Sequence, residues 1–197
     1  MAQNYTNTAA TTAAVTNRFV ASTNMKVGAY TVANASPVWS GGCLVTVTST
    51  QVGGVDDTLG TVVFVGTDLS GAAITETLTP VNGSTVTGSL IFRTVTSVTG
   101  VGWVINTGND TIVAGCAAGS YACGSGGVLE NVIVNTTAAA TIVISDKRGT
   151  IATLKASIAE GTYPFNVTFA GYLKVATTST NDVTVTHSPT IPAFPNG

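Results

Sequence analysis

Residues 61 to 79 have the sequence TVVFVGTDLSGAAITETLT, in which two apolar runs meet at a turn that begins at Asp68 and ends at Gly71. In such a turn the aspartate at the first position caps the backbone with its carboxylate, and the glycine at the fourth position supplies a positive φ. After the turn, threonine occupies every second position, a pattern typical of a strand with one face in water. The stretch therefore predicts a tight β-hairpin with a type I turn and a bulge.

A related pattern returns at residues 141 to 154, TIVISDKRGTIATL, where Asp146 and Gly149 occupy the corresponding turn positions. We predict a second hairpin of the same kind there. The match between the two stretches is short, so duplication and independent origin both stay open. One hairpin makes a poor domain, and two in series favour either two small sandwiches or one larger sandwich.

Short runs of Val, Ile and Thr, separated by turn residues, recur along most of the chain, and this spacing is typical of an all-β sandwich or barrel. Residues 62 to 65, Val-Val-Phe-Val, do not alternate, so we expect that strand to be covered on both faces. The clearest alternation lies at residues 163 to 169, whose odd-numbered side chains are expected to face one way. The predicted strands lie near residues 43–49, 61–66, 73–79, 89–96, 101–106, 128–135, 140–145, 150–155, 163–169, 171–176 and 182–187.

The chain as a whole is predicted to be all-β, with two small β-sandwich, jelly-roll-like units in tandem and an extended N-terminal arm. Its first residues are rich in Thr, Ala and Asn and show no clean period, so we expect an arm that is ordered only when it lies on something. The predicted segments are the arm (1–27), a first β unit (28–117), a Gly-rich linker (118–126), a second β unit (127–188) and a Pro-rich, extended tail (189–197).

Charge is scarce in this chain. Only 8% of its 197 residues are charged, against about 25% in ordinary globular domains. The formal net charge is -2 and the sequence shows no basic patch, so nucleic acid is not expected as a direct partner. No apolar run approaches the length of a membrane span, and the first residues do not resemble a secretion signal. We therefore expect a protein made in a cytosol, with no membrane partner and a threonine-rich surface suited to packing against other proteins.

Residues with catalytic or metal-binding chemistry are few. The single histidine, His187, falls at the end of the last predicted strand and is interpreted as a structural histidine at a sheet edge. Asp56 and Asp57 lie in a loop, but no dense acidic repeat supplies the six to eight oxygens that Ca²⁺ prefers. Glu76 is interpreted as a structural carboxylate, paired with Arg93 or open to solvent. We expect no enzymatic activity, no cofactor and no metal.

Three cysteines are present. Cys116 and Cys123 bracket a loop of small residues, and we weigh a disulfide between them that would form in an oxidising medium. The spacing does not resemble a zinc knuckle, because no second pair and no histidine lie near. Cys43 begins a predicted strand and is interpreted as a buried thiol.

The segment from residue 61 to residue 100 resembles one found in small structural proteins of tailed bacteriophages. Those proteins carry a hairpin of the form GTD-x-x-G-x-x-(I/V)-(S/T)-E-(T/S)-L, followed by a Gly/Thr-rich turn and a strand. Residues 127 to 187 also resemble a phage virion module, with a strand ending in VNT, a TI-x-I-x-D hairpin and a closing DVTV strand. The two segments together cover roughly two thirds of the chain. The matching residues of the first segment are Gly66, Thr67, Asp68, Gly71, Ile74, Thr75, Glu76, Thr77, Leu78, Phe92, Arg93, Thr94, Val95 and Thr96.

This resemblance implies a capsid decoration (cement) protein that binds the outer surface of a phage head and stabilises it. Its implied partners are the major capsid protein and further copies of itself, as a homotrimer, with synthesis in the host cytoplasm. Within the arm, Arg18, Phe19 and Val20 are the expected capsid or subunit contacts. Many such contacts in parallel add up to a large stabilisation even when each is modest.

Two alternatives stay open. A head-fibre, collar or tail component would come from the same setting but be present in few copies. A carbohydrate-binding module or adhesin would use exposed aromatic side chains as sugar platforms, and Trp39, Trp103 and Tyr121 are its candidates. A core position for Trp103 competes with the sugar-binding role.

Overall fold

A computed structural model describes residues 4–8, 13–39, 41–52, 58–105, 108–177 and 179–189. These residues contain no helix, and the all-β prediction is confirmed. The strands are β1 (Asn4–Thr8), β2 (Val15–Asn24), β3 (Ala29–Tyr30), β4 (Cys43–Thr50), β5 (Thr61–Thr67), β6 (Ala73–Leu78), β7 (Thr85–Phe92), β8 (Thr94–Val101), β9 (Thr111–Cys116), β10 (Ser120–Cys123), β11 (Gly127–Thr136), β12 (Ile142–Asp146), β13 (Gly149–Leu154), β14 (Gly161–Phe169), β15 (Leu173–Thr177) and β16 (Asp182–Pro189).

The chain divides into two compact units. The first roll comprises Ala13–Val38 and Gly42–Gly119, and the second roll comprises Met1–Thr12, Trp39–Gly41 and Ser120–Gly197. The second roll is therefore discontinuous in sequence, because its N-terminal strand precedes the whole first roll.

The first roll contains two four-stranded antiparallel sheets, ordered β2-β9-β4-β7 and β3-β8-β5-β6. Counted along the roll from one to eight, its strands lie in the orders 1-8-3-6 and 2-7-4-5. This is the arrangement of a jelly roll, an eight-stranded double sheet built from two Greek keys.

The second roll has the same arrangement. Its sheets are ordered β1-β16-β11-β14 and β10-β15-β12-β13, again with antiparallel pairs throughout. The order 1-8-3-6 and 2-7-4-5 is reproduced only when β1 is counted as the first strand. The N-terminal segment thus completes a sheet whose other three strands lie after residue 119.

Each roll buries its apolar side chains between its two sheets. In the first roll, the rings of Phe64 on β5 and Phe92 on β7 lie 6.5 Å apart across the sandwich. In the second roll, one cluster combines residues from both sheets, and Ile142 and Ile144 of β12 pack with Val183 and Val185 of β16. Alternation along the strands directs these side chains inward.

The predicted arm over residues 1–27 is wrong as a separate extended segment. Residues 4 to 8 form β1 and residues 15 to 24 form β2, so each lies in a different roll. Strand β1 is polar in sequence and lies at a sheet edge, where its backbone ladder with β16 holds it, so it shows no apolar period. Residues 1–3 and 9–12 of the predicted arm lie outside the described residues.

Other predicted boundaries also change. The linker 118–126 contains strand β10, and Pro189 of the predicted tail ends β16, while residues 190–197 lie outside the described residues. The predicted strand at 89–96 spans the end of β7 and the start of β8, and the one at 101–106 begins where β8 ends. Strand β9 was not predicted, because its Ala-Gly-Cys ending weakens the β signal.

Strands β5 and β14 depart from the expected burial. In β5, Val62 and Phe64 are buried and the two valines between and after them are half-buried, so its outer face is covered only in part. In β14, Val167 is 40% exposed, unlike Phe169. Asn166, with a φ of 51°, interrupts the alternation where the pairing with β11 shifts register.

Candidate functional site

The predicted contact residues lie inside the first roll. Phe19 is 0% exposed and Val20 is 1% exposed, so both belong to the core and not to a contact surface. The guanidinium of Arg18 is used locally, with Nε donating to the Ser36 carbonyl oxygen at 2.6 Å and Nη2 donating to the Pro37 carbonyl oxygen at 3.3 Å. Their burial contradicts the expectation that Phe19 and Val20 are capsid or subunit contacts, whereas for Arg18 it stays a prediction.

The cysteines pair differently from the prediction. Cys116, at the end of β9, lies beside Cys43 at the start of β4, with the two Sγ atoms 2.9 Å apart and both residues fully buried. Cys123 lies in the second roll and is half-buried, with its Sγ 3.1 Å from the Ser125 carbonyl oxygen. The predicted Cys116–Cys123 disulfide is contradicted, because the side chain of Cys116 faces the core, where Cys43 is its neighbour. Cys43 is buried, as predicted.

The first predicted hairpin is the β5–β6 hairpin. Asp68 Oδ1 accepts hydrogen bonds from the Ser70 hydroxyl at 2.7 Å, the Ser70 amide at 2.8 Å and the Ala72 amide at 2.9 Å. The Ser70 hydroxyl first, and then these amides, hold the pKa of Asp68 below its ordinary value. Gly71 has a φ of 87°, which confirms the role predicted for the turn glycine.

The other motif residues of this hairpin also have structural roles. Gly66 is buried against the backbone of Thr94, which leaves no room for a Cβ atom. The hydroxyls of Thr67 and Thr94 are hydrogen-bonded at 2.6 Å. These contacts fix the end of β5 against the start of β8, so these motif residues help to close the hairpin.

Glu76 on β6 closes a gap in the neighbouring edge strand. Between Leu44 and Thr46 the pairing of β4 with β7 shifts register, and residues 88–90 of β7 have no paired residue on β4. The Glu76 carboxylate accepts hydrogen bonds from the amides of Ser89 and Leu90 and from the Ser89 hydroxyl, the last two at 3.2 Å and 3.0 Å. The interpretation of Glu76 as structural fits this geometry, with the β7 backbone instead of Arg93 as its partner.

The second predicted hairpin is the β12–β13 hairpin, and its aspartate is more deeply placed. Asp146 accepts hydrogen bonds from the Arg148 amide at 2.7 Å, from Arg148 Nε at 2.9 Å and from the Ala170 amide at 2.8 Å. Burial acts to raise the pKa of Asp146, but these hydrogen bonds and the positive charge of Arg148 outweigh it, so the pKa is lowered. Gly149 has a φ of 136°, as the turn requires.

His187 is buried in the second roll. Its ring meets that of Phe169 edge to face at 6.1 Å between centroids, and neither ring nitrogen has a hydrogen-bond partner. Burial lowers the pKa of His187, and the negative charge of Glu130 opposes this only in part. A side chain enclosed in this way has no access to a substrate.

The candidate sugar platforms are mostly enclosed as well. Trp39 and Tyr121 are buried in the second roll, and Trp103 of the first roll is half-buried. The predicted calcium candidates Asp56 and Asp57 lie outside the described residues. Among the residues that the structure describes, no three His, Cys, Asp or Glu side chains group as a metal site would require. The described residues also contain no helix with the length and apolarity needed to cross a membrane.

The chain matches no protein-family model, no curated protein and no solved structure. Its own geometry therefore carries the functional argument. Every motif residue located above stabilises a turn, a bulge or a strand junction. The Cys43–Cys116 pair escaped prediction, although its signal was present, since each cysteine lies at one end of a β run.

Proposed function

We propose that this chain is a structural protein of a bacteriophage virion, most simply a decoration protein on the outer surface of the head. One observation carries the proposal: residues that resemble a phage virion motif in sequence also make the contacts that close the hairpin. Gly66, Asp68 and Gly71 resemble a virion hairpin in sequence, and each has a defined role in closing the β5–β6 hairpin. These roles are structural, as a protein that serves as a virion scaffold would require.

The jelly-roll topology supports the same proposal. This architecture is used by viral capsid proteins, by lectins and by cupins. A lectin-like role would need exposed aromatic platforms, whereas Trp39 and Tyr121 are buried and Trp103 is half-buried. A metal-binding cupin site draws on several histidines, whereas the sequence has only His187. A structural virion role needs neither feature.

The surface of the rolls suits a protein that binds other proteins side by side. The chain carries few charges and a net charge of -2, so neighbouring copies repel one another weakly. In the proposed role the chain is made in the host cytoplasm and binds the major capsid protein as a homotrimer. It strengthens the head against internal DNA pressure through many parallel contacts. The contact surface does not include the core residues Phe19 and Val20.

A binding experiment with the purified chain tests this function. Heads that lack the protein are mixed with increasing amounts of the chain and sedimented, and the bound amount is measured against the major capsid protein. We expect saturable binding at a fixed ratio and a higher temperature of DNA release from the decorated heads. Heat-unfolded chain serves as the control. No binding above this control would contradict the decoration role.

A head-fibre, collar or tail component is the second candidate. The two rolls favour this candidate, because a typical decoration protein has a single module. In that case the chain would bind only at a few sites per particle. Saturation at about a dozen copies or fewer, with no effect on DNA release, would support this candidate over decoration.

A further inference from the structure

We propose that Cys43 and Cys116 form an intramolecular disulfide that links strands β4 and β9 of the first roll. The two Sγ atoms lie 2.9 Å apart. They need to approach by less than 1 Å to reach the S–S bond length of about 2.0 Å. The cross-link is independent of the proposed virion function.

The position of the pair in the sheet favours this partner choice. Strands β4 and β9 are adjacent, and Cys116 is in register with Val45, two residues along β4 from Cys43. The two cysteines therefore project from the same face of the sheet as diagonal neighbours. The Ala117 amide donates to the Leu44 carbonyl oxygen at 2.9 Å, so the backbone is held together beside the sulfurs.

The chemistry requires an oxidant, and glutathione disulfide or a similar disulfide supplies it. One cysteine thiolate attacks the oxidant and releases one glutathione thiolate. The second cysteine then displaces the other glutathione from the mixed disulfide, so two thiols are oxidised to one disulfide and one glutathione disulfide is reduced to two thiols. The two protons leave the cysteines and are taken up by the released glutathione thiolates.

The surroundings set the timing of the reaction. The hydrogen bond with Cys116, followed by burial, raises the pKa of the Cys43 thiol, so the reactive thiolate is scarce in the folded roll. Oxidation is therefore expected mainly while β4 and β9 are still accessible, during folding or local opening. Once formed, the bond is enclosed and resists reductants. It ties residue 43 to residue 116 and so constrains most of the first roll in the unfolded state.

Mass spectrometry of tryptic peptides tests the pairing directly. The full chain is refolded with glutathione disulfide, blocked with N-ethylmaleimide in denaturant and digested without reductant. Cleavage after Lys26, Arg93 and Lys147 places Cys43 in peptide 27–93, whereas Cys116 and Cys123 share peptide 94–147. We expect these two peptides to be joined, with Cys123 alkylated. Three alkylated cysteines, or a link confined to peptide 94–147, would overturn the proposal.

The Cys123→Ser variant is the matched control, because it leaves only the proposed pair. It should give the same joined peptides, and loss of the link in this variant would show that Cys123 was the partner. The oxidised chain should also melt roughly 10 °C above the same chain after reduction in denaturant and refolding. An unchanged Tm of the first roll would contradict a cross-link between its central strands.

Discussion

The two rolls share one strand order but differ at one equivalent position, on the last strand, where it pairs with both the first and the third strand. In the first roll, Cys116 on the last strand lies in register with Val15 of the first strand and with Val45 of the third. In the second roll, His187 holds the corresponding place, in register with Asn4 and Leu129. The first roll thus has a pair of thiols at this position, and the second roll has an imidazole without a hydrogen-bond partner. Both residues are compatible with the topology, because strand alternation and turns define the topology.

A second difference concerns where the first strand comes from. The first roll is built from consecutive strands β2 to β9, whereas the second roll takes β1 from before the first roll and its other strands from after it. The second roll therefore depends on a short N-terminal strand whose pairing with β16 spans almost the whole sequence. Contacts of such large sequence separation are costly to form.

Deletion of residues 1 to 8 should have the largest effect. It removes β1, leaves the edge of β16 unpaired and should unfold or greatly weaken the second roll while the first roll stays folded. Hydrogen exchange measured by mass spectrometry should show loss of protection in β16 and β11 but not in β4 and β9. Deletion of residues 1 to 3 alone is the control. Retained protection in β16 after the longer deletion would show that β1 is dispensable.

The two turn aspartates, Asp68 and Asp146, should differ in how much they contribute to stability. Asp146→Ala leaves the partly buried Ala170 amide without its acceptor and releases the turn, and we expect a loss of about 2–3 kcal/mol from the second roll. Asp68→Ala affects only the amides and the Ser70 hydroxyl of its own turn and should cost the first roll about 1 kcal/mol or less. Urea unfolding of both variants measures the two losses.

Arg148→Ala separates the ion pair from the backbone hydrogen bonds of Asp146. The Arg148 side chain is 61% exposed, so its removal should cost less than about 1 kcal/mol. Equal losses for Asp146→Ala and Asp68→Ala would contradict the distinction between the two hairpins.

We also expect the stability of the second roll to depend on pH. Since the pKa of His187 is lowered in the folded state, the unfolded chain takes up the proton first as the pH falls. Stability should be full above about pH 6.5 and fall below it, by at most about 1.4 kcal/mol per pH unit. Urea unfolding at pH 7.5 and pH 5.5 measures this loss. His187→Leu should abolish it, and an equal loss in that variant would refute the assignment.

Local patterns in the sequence predicted much of this fold. The turns at Asp68 and Asp146 and most of the central strands follow from turn chemistry and from runs of Val, Ile and Thr. Two β units were also predicted, from the Gly-rich stretch at residues 118–126, although that stretch contains strand β10 of the second roll. These features depend on interactions between residues close together in the chain.

The missed features depend on partners far away in the sequence. Strand β1 is polar and short, and only its pairing with β16 makes it a strand. In the sequence, Phe19 and Val20 lie in a stretch without a clear period and were assigned to the arm. They are buried because β2 pairs with β9. The close spacing of Cys116 and Cys123 suggested a disulfide, whereas the register of β9 on β4 determines the actual neighbour.

The copy number of the chain in purified virions, measured by quantitative mass spectrometry against the major capsid protein, tests the proposed function most directly. A decoration protein should be present in hundreds of copies, at a fixed ratio to the major capsid protein. A dozen copies would assign the chain to the collar, tail or fibres. Its absence from the particle would contradict a structural role in the virion.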